Sequence, residues 1–215
     1  MKYAEYIKKI EIDSLWSGRK HIVWNLDRQV NILSGVNGVG KSTILNKLIA
    51  PLKFPNKGEI PHGNGVKIET VPEDATHIRF DVIRSIDRPL INAEIASQLD
   101  FKVATELDLQ IYTLQRRYLD YQVNIANRMI EALQNGNAPE AQRLSAVKTK
   151  FQDMIDRLFA ETGKTIIRTA NEIRFLQIGE ELTPYQLSSG EKQMLVILLT
   201  VLVEDNKPYL LLMDE

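Results

Sequence analysis

The chain has 215 residues, 44% of them apolar, with 27 Lys and Arg against 28 Asp and Glu for a net charge of −1. It has the length for one large domain or a domain with an inserted lobe, and its balanced charge argues against an overall polyanionic partner. It contains no cysteine, which excludes disulfides, thiol nucleophiles and Cys-based zinc sites.

The N-terminus, MKYAEYIKKIEIDS, lacks the apolar core of a signal peptide. The alternation in YIKKIEI predicts a strand, HIVWNL a second after the turn SGRK, and QVNILS a third running into glycines. ILNKLIAPL places Ile44, Leu45, Leu48 and Ile49 on one helical face, ended by Pro51. Residues 54–65, FPNKGEIPHGNG, are a Gly/Pro-rich loop, and VKIETV and THIRFDVIRSI are further strands.

The middle of the chain changes period. Apolar residues recur at Leu107, Ile111, Leu114, Tyr118, Tyr121 and Ile125. After NGNAP at 135–139 they resume at Leu144, Val147, Phe151, Met154 and Leu158. Two heptad-like seams joined by a Gly/Pro turn predict an antiparallel helical hairpin at about 104–162, whose ~30-residue helices would each reach about 45 Å. KTIIRT and EIRFLQI predict a β-hairpin turned at Ala170 and Asn171. LSSGEKQMLVILLTVLVED is a turn entering an apolar helix, and PYLLLMDE a buried strand ending in acids. The longest apolar run, Met194–Val203, is well short of the roughly 20 residues that span a bilayer, so no membrane insertion and a cytoplasmic location are expected.

The segment ILSGVNGVGKSTILNKL fits G-x-x-x-x-G-K-[ST] at Gly35, Gly40, Lys41 and Ser42. Glycines let backbone N–H groups converge on phosphate oxygens, and the following helix turns its N-terminus to the same anion. The pattern predicts a triphosphate cradle of Gly35, Asn37, Gly38, Val39, Gly40, Lys41, Ser42 and Thr43. Lys41 would reach the β- and γ-phosphates of ATP and the Ser42 hydroxyl would bind Mg²⁺. Asp214, at the end of LLLMDE, is the expected second Mg²⁺ ligand, and Glu215 the general base facing the attacking water.

LSSGEKQ, Leu187–Gln193, resembles the LSGGQ or LSGGE signature of ABC-type ATPases, with Ser188 at the serine position, Gly190 at the second glycine, Ser189 replacing the first glycine and Glu191 in place of the usual Gln. The same residues also suit an ordinary helix N-cap with an acid in the first turn. With the glycine loop and the acidic strand end, this order resembles the ABC superfamily over nearly the whole chain. Roughly 150 residues separate glycine loop and signature, and the heptad hairpin between them resembles the SMC- and RecF-like branch, whose members act in DNA maintenance or defence.

That resemblance implies an α/β P-loop NTPase fold over 1–215 as one ATPase domain, with a mostly parallel core sheet, an antiparallel β-subdomain and the inserted hairpin. It also implies a nucleotide-dependent homodimer, in which each ATP is held by the glycine loop of one copy and by Ser188 and Gly190 of the other. Gln98 is the nearest candidate for the family's Mg²⁺-sensing glutamine, and Trp16, Arg19 or Lys20 for its adenine contact, with core or interface packing the alternative for Trp16 and Trp24. Arg116, Arg117, Arg128, Arg143, Lys148 and Lys150 are the hairpin cations that would meet DNA, with solvated helix charge as the alternative. An effector protein is a further possible partner. Two other readings are the ATP-binding subunit of an ABC transporter and a non-hydrolysing ATP-dependent interaction module. Since related ATPases continue past the terminal glutamate, slow hydrolysis by an incompletely represented chain is expected.

Overall fold

The structure is a computed structural model that describes residues 1–63, 65–84, 89 and 103–214. Two compact units divide the chain: Met1–Ser85 together with Lys207–Glu215, and Ile86–Asn206.

In the first unit, β1 (Tyr6–Leu15) and β2 (Lys20–Asn25) form an antiparallel hairpin. With β3 (His62–Gly63) and β4 (Val66–Val71) they make a four-stranded sheet in the order β2-β1-β4-β3, which matches the expected antiparallel subdomain. The period-2 alternation of β1 buries Ile10 and Ile12, and α1 (Lys41–Lys53) adds Leu48, Ile49 and Leu52 to the same core. Pro51 does not end this helix. It falls in the last turn, where its missing N–H forfeits a single hydrogen bond and Leu52 beyond it is fully buried. β5 (Phe80–Arg84) pairs in parallel with β9 (Leu210–Asp214), joining positions 130 residues apart, as in Phe80 with Leu210.

QVNILS departs from expectation. Residues 30–36 are in no strand, with Val30 72% and Ile32 82% exposed. Alternating apolar residues stabilise a strand only against a partner strand and a covering layer, and no neighbour among the described residues pairs with this segment. Among the described residues the parallel pairing of named strands is correspondingly β5 with β9, beside an isolated parallel bridge between Tyr3 and His77.

The second unit is built on α2 (Glu106–Gln134) and α3 (Ala138–Leu158), joined at 135–137 with Gly136 at φ 71°. Thr105 and Asp108 form a capping box at the start of α2, and the Asn137 side chain caps α3. The Tyr118 and Phe151 rings lie 6.2 Å apart, and Lys148 donates to Gln122 at 2.6 Å, which sets the two helices antiparallel. Every seam residue expected on α2 is buried. On α3 the seam drifts: Met154 and Leu158 are 48% and 44% exposed, while Gln152 and Ile155 are buried. An α-helix turns every 3.6 residues, so a strict heptad rotates off its face. Here the face turns toward β6 (Thr165–Ile166) and β7 (Phe175–Gln177), where Phe159 meets Phe175 at 5.4 Å. β6 and β7 pair antiparallel about Ala170 and Asn171, and β7 continues into β8 (Glu180–Leu182). The apolar helix α4 (Ser189–Val203) packs on α2.

Candidate functional site

In the first unit, residues 34–39 are exposed and lead into α1 through Gly40, whose φ of 101° is left-handed. Gly38 has φ 82°. A Cβ on Gly40 would come within 2.4 Å of the Trp16 indole, so the position demands glycine for both backbone and packing. No side chain caps α1 and no acid occupies its first turn, which leaves its first N–H groups to an external anion. Lys41 folds back over the loop, donating from Nζ to the carbonyl oxygens of Gly35 at 2.7 Å and Val36 at 3.3 Å. The adjacent Ser42 Oγ donates to Asp214 Oδ1 at 2.7 Å, across 172 residues of sequence. The parallel register of β9 with β5 carries Asp214 to the strand end beside that loop.

In the second unit, Ser188 is the N-cap of α4 and forms a capping box with Glu191. The Glu191 carboxylate accepts from Lys164 Nζ at 2.9 Å, Thr162 Oγ1 at 2.8 Å, Ser188 N at 2.9 Å and Ser188 Oγ at 3.0 Å. Burial works against its charge, but Lys164, Ser188 and Thr162 together hold its pKa down at about 2. One residue on, buried Lys192 pairs with buried Asp108 at 2.8 Å, and the other Asp108 oxygen accepts the backbone N–H groups of Ala104 and Thr105. The charges after Ser188 are thus tied to both roots of the helical hairpin. A Cβ on Gly190 would meet nothing within 4 Å.

Residues 26–215 match the family described as ABC transporter. The chain belongs to that family. It is an ATP-binding P-loop ATPase of the α/β class. Comparison with curated proteins and with solved structures returned no match.

ABC ATPases bind ATP, typically with Mg²⁺. The donor set of this ABC ATPase fits that ion. Mg²⁺ takes oxygen ligands at about 2.0–2.1 Å in an octahedron, whose adjacent ligands stand about 3.0 Å apart. Ser42 Oγ and Asp214 Oδ1, at 2.7 Å, are close to that spacing. Glu215 and Gln98 lie outside the described residues. Among the candidate adenine contacts, Trp16 sits against Gly40 and is 43% exposed, with a left-handed φ of 49° in the β1–β2 turn. Arg19 is exposed on the same turn, Lys20 is exposed at the start of β2, and Trp24 lies in β2 opposite Ile10.

The hairpin cations divide. Arg117 pairs with Glu204, Arg128 with Asp205 at 2.6 Å, Arg143 with Glu140 at 2.8 Å, and Lys148 with Gln122. These four serve the second unit's own packing or its helix surface. Arg116 instead lines a cavity of about 350 Å³ with Tyr112, Leu119, Ile173 and Tyr185, and Lys150 is exposed. Among the described residues no helix is long and apolar enough to cross a membrane.

The sequence reading missed Asp108, Thr162 and Lys164. The available signal was Lys192, a cation in the first turn of a helix that is almost wholly apolar from Met194 onward, where a buried charge requires a partner.

Proposed function

We propose that this ABC ATPase binds Mg-ATP through Gly35, Asn37, Gly38, Val39, Gly40, Lys41, Ser42 and Thr43, and works as an ATP-dependent dimerisation clamp with slow hydrolysis. The observation that carries the reading is the Ser42–Asp214 contact, which joins the glycine loop to the acidic strand end. Lys41 exchanges its loop carbonyls for the β- and γ-phosphates, and the N–H groups at the start of α1 bind the same oxygens. Ser42 and Asp214 would hold Mg²⁺, which when bound would offset charge developing on those phosphates. Glu215 accepts the proton of the attacking water.

The clamp reading treats 1–215 as one ATPase domain with an inserted hairpin. Ser188 and Gly190 contact the γ-phosphate bound by a second copy. To do so the Ser188 hydroxyl leaves the Glu191 carboxylate, while Gly190 is already open to approach. The long α2–α3 hairpin favours an SMC- or RecF-like protein in DNA maintenance or defence. The internal pairing of Arg117, Arg128, Arg143 and Lys148, together with the family description, supports the second reading, an ABC transporter's ATP-binding subunit.

Light scattering with and without Mg-ATP, paired with phosphate release, tests the clamp. An ATP-dependent dimer that Glu215→Gln stabilises by blocking hydrolysis is the expected result. A chain that stays monomeric at saturating nucleotide, in wild type and Glu215→Gln alike, overturns it.

A further inference from the structure

The solvent face of the β1–β2 hairpin carries a side-chain cluster that nucleotide binding does not use. β1 and β2 are in register at Ile12 with Ile22 and at Leu15 with Lys20, so two β1 residues oppose His21 alone. This is a β-bulge, a device that re-aims side chains locally. Glu11 and Asp13 share one face of β1, opposite to buried Ile10 and Ile12. His21 stands across from Asp13 and diagonal to Glu11. Its Nδ1 lies 2.8 Å from Asp13 Oδ1 and its Nε2 3.5 Å from Glu11 Oε1.

A neutral imidazole has one N–H, yet this ring faces a carboxylate oxygen at each nitrogen. One of those contacts sets a lone pair against an anionic oxygen unless a cation intervenes, either a proton or a metal ion. One ligand atom from each of the three residues falls in a group whose members lie within 4.8 Å of one another. Zinc bonds of about 2.0–2.1 Å in tetrahedral geometry separate ligand atoms by about 3.4 Å, so the 3.5 Å spacing of His21 Nε2 and Glu11 Oε1 is already that of two ligands sharing a metal. To become the third ligand, Asp13 must leave Nδ1 and swing its carboxylate to the Nε2 side, a movement across open solvent since the His21 and Asp13 side chains are 50% and 60% exposed.

The surrounding charges leave this geometry open. Lys9 engages the other Glu11 oxygen, Oε2, at 3.2 Å and also reaches Glu69 at 3.3 Å, and Lys67 is the β4 residue opposite Glu11. Glu11 Oε1 remains directed at His21. One imidazole nitrogen with two carboxylate oxygens suits borderline first-row divalent ions rather than Mg²⁺, which favours oxygen alone, or Cu(I), which favours sulfur.

We propose that Glu11, Asp13 and His21 form a transition-metal site that takes Zn²⁺ or Co²⁺ and cross-links β1 to β2 beside the turn bearing Trp16. It keeps at least one coordination position open to water and is independent of nucleotide.

The test uses the 215-residue protein carrying Asp214→Asn, which removes the candidate Mg²⁺ ligand. Co²⁺ is titrated against visible absorption and then displaced by Zn²⁺. One equivalent of Co²⁺ is expected, displaced by Zn²⁺, with affinity falling at least about 10- to 100-fold when His21→Ala or Asp13→Asn is added. Melting temperature should rise with Zn²⁺ in the parent and not in the His21→Ala variant. Co²⁺ affinity within about twofold of the parent in His21→Ala overturns the site, as does no uptake at about 1 mM Co²⁺. His21 ring resonances that follow pH but ignore Zn²⁺ would assign the second contact to a proton and likewise overturn it.

Discussion

Ser42 Oγ and Asp214 Oδ1 are separated by 172 residues of chain and by 2.7 Å of space. A serine at the start of a helix and an aspartate at the end of a strand meet where two hard oxygens suit one divalent ion. Asp214→Asn keeps the shape and removes the charge. It should weaken Mg-dependent ATP binding about tenfold or more while leaving Mg²⁺-free ATP binding nearly unchanged, because only the ion's share is lost. Calorimetric titration of ATP with and without Mg²⁺ measures both. Equal losses in the two conditions would place Asp214 outside the ion's reach.

Lys41→Ala should reduce ATP affinity about 10- to 100-fold, the effect of losing a charge-assisted contact of roughly 1.5–3 kcal/mol. Its present partners, the carbonyls of Gly35 and Val36, are on an exposed loop, so folding should be nearly unaffected. Binding of a fluorescent ATP analogue, with a melting curve as control, separates the two effects.

Two glycines should respond oppositely to alanine. At Gly40 a Cβ meets Trp16 at 2.4 Å on a left-handed backbone, so Gly40→Ala should destabilise the first unit by about 1–3 kcal/mol. At Gly190 a Cβ meets nothing, and alanine in a helix is favoured over glycine by up to about 1 kcal/mol. Gly190→Ala should leave stability unchanged or raised, and Gly190→Arg should abolish the ATP-dependent dimer without unfolding the chain. Denaturant melts and light scattering read out stability and assembly separately.

Glu191 links stability to acid. Its folded-state pKa is lowered from 4.5 to about 2, so the unfolded chain binds its proton first as pH falls. Its contribution is complete above about pH 4.5 and is lost progressively as pH drops toward 2. Urea midpoints measured from pH 6 to pH 3 should fall more steeply in wild type than in Glu191→Gln, which has no proton to gain at that position. Parallel slopes would show that the carboxylate is not held by Lys164, Thr162 and Ser188.

Lys192 and Asp108 are both buried, and removing one partner leaves the other charge without compensation. Lys192→Met and Asp108→Asn should each cost about 3 kcal/mol or more, and the double variant less than their sum. Asp108 also caps α2, so its single variant should be the worse of the two. A double-mutant cycle in urea isolates the coupling.

What could be read from the chain alone was whatever depends on local period and local backbone chemistry. The glycines before Lys41 announce a phosphate loop because only a few residue types allow that curl. The α2 seam is legible from Leu107 to Ile125 because its buried apolar positions repeat at helical spacing, whereas buried Asp108 beside Leu107 breaks the apolar pattern. Ser188 and Glu191 read as a helix cap because the box closes within four residues. The tertiary structure decided what depends on partners distant in sequence. It left Val30 and Ile32 exposed, since an alternating segment becomes a strand only beside another strand. It rotated the α3 face from Met154 to Ile155, because β6 and β7 draw burial to one side of that helix. It set Trp16 on Gly40, gave Lys192 and Glu191 their partners at the hairpin's roots, and paired Arg117, Arg128, Arg143 and Lys148 within their own unit. A charge's partner is chosen by proximity in space, and residue order carries no direct record of it.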